Sequence, residues 1–155
     1  SSTLSEIVQL VDATAHRFIA ESAPARLGVY EVLEFFKQKQ IPLALASSST
    51  MHLINIVVDK LKIRSYFQIL YSAEFEEYGK PHPGVNITAA HRLGVEPMNC
   101  LVFEDSWNGL LAAKAGAMKC ICVPDEGLRA DKRLVIADLI LNSLKDFDEA
   151  TWNKF

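Results

Sequence analysis

Apolar residues recur along this chain in stretches of helical spacing separated by short, unbroken apolar runs. Ile7, Val8, Leu10, Val11, Ala15, Phe18 and Ile19 follow the three-to-four rhythm of an amphipathic helix. Thr3-Leu4-Ser5-Glu6 ahead of them has the spacing of a capping box, so a first helix is predicted over 4–21. Pro24 and Gly28 interrupt the pattern. Val29, Val32, Leu33 and Phe36 restart it, predicting a second helix to about residue 40, and Pro42 ends that helix. Leu43-Ala44-Leu45-Ala46 then has the length and character of a buried strand. Ser47 to Thr50 form a polar cluster, and Ile54, Val57, Val58 and Leu61 mark one face of a third helix.

The alternation continues. A strand is predicted over 67–71. A polar loop containing Gly79-Lys80-Pro81-His82-Pro83 leads to a fourth helix, which runs to Leu93 and is closed by Gly94. Residues 100–103 form a strand that ends in Glu104-Asp105-Ser106, where Ser106 can cap a helix ending at Gly116. Residues 120–123 and 138–141 are two more strands, and a short helix closes the chain. Strands apolar along their whole length belong in a sheet covered on both faces. The fold class is therefore α/β, a doubly wound parallel sheet, with ligands expected beyond the carboxyl ends of the strands. The one subdomain seam falls at 22–28.

Composition narrows the class. With 155 residues, 50% hydrophobic and 23% charged, the chain has the make-up of one globular domain. A net charge of -3 offers no basic excess for a nucleic-acid backbone. No apolar run approaches the roughly 20 residues of a membrane span. Cys100, Cys120 and Cys122 are odd in number and lie in apolar runs. They are read as reduced core residues, without a disulfide framework or a zinc site, which points to a cytoplasmic protein. A monomer is expected.

Three polar features stand just after strands or in a loop on the same side of the predicted sheet. Ser47-Ser48-Ser49 offers a hydroxyl and backbone N–H groups that suit phosphate oxygens. Lys80 offers a fixed positive charge. Glu104-Asp105 offers hard oxygen ligands for Mg²⁺. Each has a plainer reading: a helix cap, a solvated loop lysine, and acids favouring a helix dipole. His82 reads as a loop residue. His16, His52 and His91 lie on helices without a partner in view, and packing explains Trp107 and Asn108 as well as a site would.

Taken in order, Leu45-Ala46-Ser47-Ser48-Ser49, Lys80-Pro81-His82-Pro83 and Phe103-Glu104-Asp105-Ser106-x-Asn108-Gly109 resemble motifs II, III and IV of the haloacid dehalogenase (HAD) superfamily. The closest resemblance is to its β-phosphoglucomutase-like branch, which includes sugar-phosphate, hexitol-phosphate and 2-deoxyglucose-6-phosphate phosphatases. The resemblance implies a Rossmann-like core at 23–155 and, at 1–22, the last helix of a helical cap. It implies that Ser47, with Ser48 and Ser49, binds the transferring phosphoryl group. Lys80 would neutralise the charge on nucleophile and phosphate, and Glu104 and Asp105 would hold Mg²⁺. The implied substrate is a small phosphorylated metabolite, a sugar or sugar-alcohol phosphate, hydrolysed through an aspartyl-phosphate. Phosphosugar mutation and non-catalytic phosphate binding are the alternatives.

The resemblance also implies an Asp-x-Asp nucleophile motif on a central strand, and no apolar strand followed by that motif precedes Ser47. Asp12 is followed at position 14 by Ala. Asp146-Phe147-Asp148 has the letters but lacks the preceding apolar strand, and Asp146 is expected to cap the last helix. The central strand is thus expected to be absent, leaving a gap or a foreign strand between 43–47 and 100–103. The 155-residue chain alone is expected to lack turnover on p-nitrophenyl phosphate.

Overall fold

The computed structural model describes Ile7–Val8 and residues 24–155. Among the described residues the strands are β1 (Ile7–Val8), β2 (Ala44–Ser47), β3 (Ile69–Ser72), β4 (Leu101–Glu104), β5 (Lys119–Cys122) and β6 (Leu139–Ile140). All the ladders are parallel. One joins β1-β4-β5-β6 and the other joins β2-β3. Helices α1 (Val29–Gln38), α2 (Met51–Lys60), α3 (Gly84–Leu93), α4 (Trp107–Ala115) and α5 (Glu149–Trp152) connect or close them. This is the α/β architecture expected, with strand and helix boundaries within a few residues of the pattern-based ones.

The strands bury both faces, and the two faces differ in size. Leu43, Leu45, Leu101, Phe103, Ile121 and Val123 point to one side, where they meet Phe36, Ile54 and Phe147 from α1, α2 and the C-terminal segment. Ala44, Ala46, Cys100, Val102, Cys120 and Cys122 point to the other, against Val85, Ala89 and Ala90 of α3 and Leu110 and Ala113 of α4. Alternation along each strand thus sorts large from small residues. The small face lets α3 and α4 approach closely. The large face is closed by an aromatic cluster in which Phe36 packs edge-on to Phe103 and Trp152. The three cysteines are buried, as expected of core residues.

Two local expectations change. Ile7 and Val8, assigned by periodicity to a helix, form a strand paired in register with Val102 and Phe103. Both are β-branched, and the edge of β4 presents backbone groups that need partners, so tertiary pairing overrides the local period. The rest of the predicted 4–21 helix, its capping box, Asp12 and His16 lie outside the described residues, as does the expected domain boundary near residue 22. A two-residue strand of this same chain therefore flanks β4 on the side facing β2. β1 also touches β2, with no ladder between them among the described residues. The residues after Val8 are Gln9 and Leu10, not carboxylates.

The second change concerns the C-terminus. Asp148, not Asp146, caps α5, accepting from the Thr151 N–H at 2.7 Å. Asp146 instead closes a capping box with Ser143 one turn earlier. Both members of the Asp-x-Asp lookalike are thereby used as helix caps.

Phe36 is fully buried. Phe36→Ala should lower the unfolding free energy by about 3–5 kcal/mol in urea denaturation. On the opposite face, Ala46→Leu should cost about 1–3 kcal/mol by overpacking against α3.

Candidate functional site

β2 and β4 run parallel and end on the same side of the molecule, and the loop between β3 and α3 brings Lys80 across that end. The Lys80 ammonium donates to Glu104 Oε1 at 2.8 Å and approaches the Ala46 carbonyl oxygen at 3.4 Å. Its side chain is 9% exposed and that of Glu104 is 5% exposed. One lysine thus bridges the carboxyl-terminal ends of two strands that belong to separate sheets. This is not the solvated loop lysine of the plainer reading.

Glu104 is fixed from below as well. Its carboxylate packs directly against the backbone of Gly109 in the first turn of α4, where a Cβ would collide with it. Ser106 caps the same helix, accepting from the Gly109 N–H at 3.1 Å. Burial raises the Glu104 carboxyl above the ordinary glutamic acid range. The Lys80 charge and hydrogen bond oppose that rise, and the neighbouring Asp105 adds to it. The same environment acts on Cys122: burial, then Glu104 and Asp105, push its thiol up to about 12. It is a neutral core thiol, not a nucleophile.

Ser47 and Ser49 are both buried at the end of β2, while Ser48 is exposed. The helix-cap reading fails for all three, because Thr50 caps α2 by accepting from the Leu53 N–H. Ser47 Oγ accepts from the Ser49 N–H at 3.1 Å, which curls the chain immediately after the strand. Ser72, paired in register with Ser47, donates to the Ser49 carbonyl at 2.6 Å and holds that curl against β3. Ser49 Oγ is buried without a hydrogen-bond partner among the described residues. A hydroxyl left unpaired in this position is available to a ligand.

Asp105 follows Glu104, and its side chain is 12% exposed. The Arg26 guanidinium lies 3.7 Å from Asp105 Oδ2. The hard oxygens of Asp105 fit Mg²⁺, and this carboxylate already draws a cation to itself. Glu104, engaged by Lys80, is less free to ligate. Among the described residues no group of three or more His, Cys, Asp or Glu side chains converges as a metal site.

The remaining sequence candidates fall elsewhere. His82 Nδ1 accepts from the Gly84 N–H at 3.1 Å and so serves the start of α3. Trp107 lies under the Arg133 guanidinium, 4.8 Å from its ring centre. Asp59, Asp131 and Asp138 pair with Arg64, Arg133 and Lys114. Sequence reasoning missed Arg26 and Ser72, whose partners are 79 and 23 residues away, and neither belongs to a local motif.

A family model for haloacid dehalogenase-like hydrolases matches residues 3–116. Hexitol phosphatase B of Escherichia coli is 39% identical over 91% of this chain and 64% of its own length. A phosphorylated carbohydrates phosphatase of Thermotoga maritima is 33% identical over 84% of this chain and 64% of its own. The chain therefore spans just under two thirds of these relatives. In three dimensions, a putative β-phosphoglucomutase from Thermotoga maritima superposes with a TM-score of 0.74 at 32% identity, over 81% of this chain and 59% of its own. CbbY from Rhodobacter sphaeroides, solved with xylulose-1,5-bisphosphate, superposes at 0.75 with 26% identity, over 83% and 58%.

Adding one methyl group at Gly109 tests the floor of the site. Gly109→Ala should destabilise the fold by about 1–3 kcal/mol, measured by chemical denaturation, because Glu104 must leave its place. Gly127→Ala, where a Cβ meets nothing within 4 Å, serves as the control and should be near neutral.

Proposed function

We propose that this chain, which belongs to the haloacid dehalogenase-like hydrolase family, is the phosphate- and metal-binding part of a Mg²⁺-dependent phosphatase acting on a sugar or sugar-alcohol phosphate. The observation that carries the proposal is the buried Lys80–Glu104 pair at the joint of β2 and β4, with Ser47 and Asp105 one residue beyond each of its anchor points. Glu104 holds the Lys80 ammonium at the strand ends, where its charge stabilises a phosphoryl group without having to be reoriented during reaction. Ser47 and the N–H groups of the curl that follows it take phosphoryl oxygens, and the unpaired Ser49 hydroxyl adds a further donor. Asp105 is the Mg²⁺ ligand. The bound ion supplies charge neutralisation at the phosphoryl oxygens.

The attacking group is a carboxylate in the chemistry this family resemblance implies. None of the described aspartates is placed for attack. Asp59, Asp131 and Asp138 are paired with cations, Asp146 and Asp148 cap helices, and Asp125 holds Arg26. The role of this chain is therefore to hold phosphate and metal for a nucleophile supplied from outside residues 24–155. The named hexitol phosphatase and carbohydrate phosphatase relatives support a polyol or sugar phosphate as substrate. The β-phosphoglucomutase fold neighbour supports phosphosugar transfer as the second reading.

Phosphate release from hexitol 6-phosphates and 2-deoxyglucose 6-phosphate, compared with conversion of glucose 1-phosphate to glucose 6-phosphate, separates the two readings. The test belongs to the protein extended to the length of its relatives. Phosphate release should dominate, require Mg²⁺, and fall by roughly 10²-fold or more in Asp105→Asn and Lys80→Met. Dominant isomerisation would select the mutase reading, and activity indifferent to both substitutions would overturn the assignment of the site.

A further inference from the structure

Lys80 hangs from the loop of residues 73–83 that joins β3 to α3, and contacts across the lysine close that loop on itself. Just to either side of it, the rings of Tyr78 and His82 lie 5.4 Å apart. Farther out, the Glu76 carboxylate stands over Gly84, the first residue of α3. A Cβ at Gly84 would lie 2.5 Å from Glu76 Oε2, so the bare glycine makes the room for this contact.

Glu76 is held from both of the elements that the loop joins. Its Oε1 accepts from the Tyr71 hydroxyl of β3 at 2.8 Å and from the Thr88 hydroxyl of α3 at 2.7 Å. Hydrogen bonds to a charged carboxylate are stronger than neutral ones. Burial, then the bond to Glu76, raises the Tyr71 hydroxyl above its ordinary range, so it stays a donor. The neighbouring acids Glu74 and Glu77 are exposed, and Glu74 accepts from the Met51 N–H at 3.3 Å, on α2. Of these three acids, Glu76 is the one that spans from β3 to α3. Lys80 thus depends on two carboxylates. Glu104 holds the ammonium at the strand ends, and Glu76 holds the loop from which the side chain hangs. A flexible four-carbon stem does not fix its own direction, so the place of the ammonium depends on where its backbone starts.

We propose that Glu76 is a positioning residue for Lys80: by bridging Tyr71, Thr88 and the Gly84 backbone, it closes the loop and sets the point from which Lys80 reaches the phosphoryl group. The inference rests on the reading of Lys80 as the phosphate-binding cation. Glu76 acts through the loop and makes no contact with substrate.

Kinetics of phosphate release from a hexitol 6-phosphate, in the protein extended to the length of its relatives, test this with Glu76→Ala, Glu76→Gln, Lys80→Met and Glu76→Ala combined with Lys80→Met. Glu76→Ala should lower kcat roughly tenfold while KM stays within about threefold of wild type. Glu76→Gln keeps an oxygen for both hydroxyls and should recover most of that loss. Beside Lys80→Met the effect of Glu76→Ala should vanish, because no lysine is left to act through. An unchanged kcat in Glu76→Ala, a loss in Glu76→Gln as large as in Glu76→Ala, or an undiminished loss beside Lys80→Met overturns the proposal. Lys80→Met alone separates this from the underlying reading. A fall in kcat there upholds Lys80 whatever Glu76 does, and an unchanged kcat removes that reading and this inference together. Should Lys80→Met unfold the protein, adding Glu104→Gln leaves no stranded carboxylate and supplies the background. Should Glu76→Ala fail to fold, Thr88→Val removes one anchoring hydroxyl and keeps the carboxylate. It should lower kcat about threefold with Lys80 present and not at all without it, and equal losses in both backgrounds overturn the proposal.

Discussion

The Lys80–Glu104 ion pair is the contact on which the site depends. β2 and β4 belong to different ladders, and the slot between them holds only the two residues of β1 among those described. At the carboxyl end of that slot the two strands are joined through Lys80, which touches the Ala46 carbonyl on one side and the Glu104 carboxylate on the other. A pair this deeply buried costs desolvation on both partners, and its net stabilisation over an apolar substitute is small or absent. What it supplies is placement. A lysine charge is held in a fixed position at the strand ends, beside Asp105, whose side chain is itself largely buried.

The rest of the fold is arranged around that end. The large residues of each strand face α1, α2 and the C-terminal aromatic cluster, which gives the sheet a rigid backing. The small residues face α3 and α4, so the first turns of both helices come close to the strand ends. Gly109 is the sharpest instance, since its missing side chain is the space Glu104 occupies. Ser72 ties the curl after β2 to β3, and Arg26 ties the segment before α1 to β5 and Asp105. The site is thus a convergence of loops on one edge of a sheet, in keeping with the general placement of ligands in doubly wound folds.

Much of this was legible in the residues. Four-residue apolar runs flanked by helical periods located β2, β4 and β5, and the order of Ser47, Lys80 and Glu104-Asp105 pointed to the family. Three kinds of information were not local enough to read. Ile7 and Val8 carry a helical period, yet the edge of β4 recruits them as a strand, and only the pairing partner reveals it. Asp146 and Asp148 are both caps, but which helix each caps depends on backbone geometry a residue or two away. Glu104 and Asp105 look equivalent as letters. Strand geometry turns the first toward Lys80 and Gly109 and the second toward Arg26, so the two acids meet different partners.

A double-mutant cycle on Lys80 and Glu104, followed by chemical denaturation, tests the central claim most directly. Lys80→Met strands a carboxylate in a buried site and should cost about 3–5 kcal/mol, while Lys80→Met combined with Glu104→Gln should recover most of that loss, with a coupling energy of roughly 2 kcal/mol or more. Additive effects within about 0.5 kcal/mol would show that the two side chains do not act as a unit, and would contradict the account of how the site is held together.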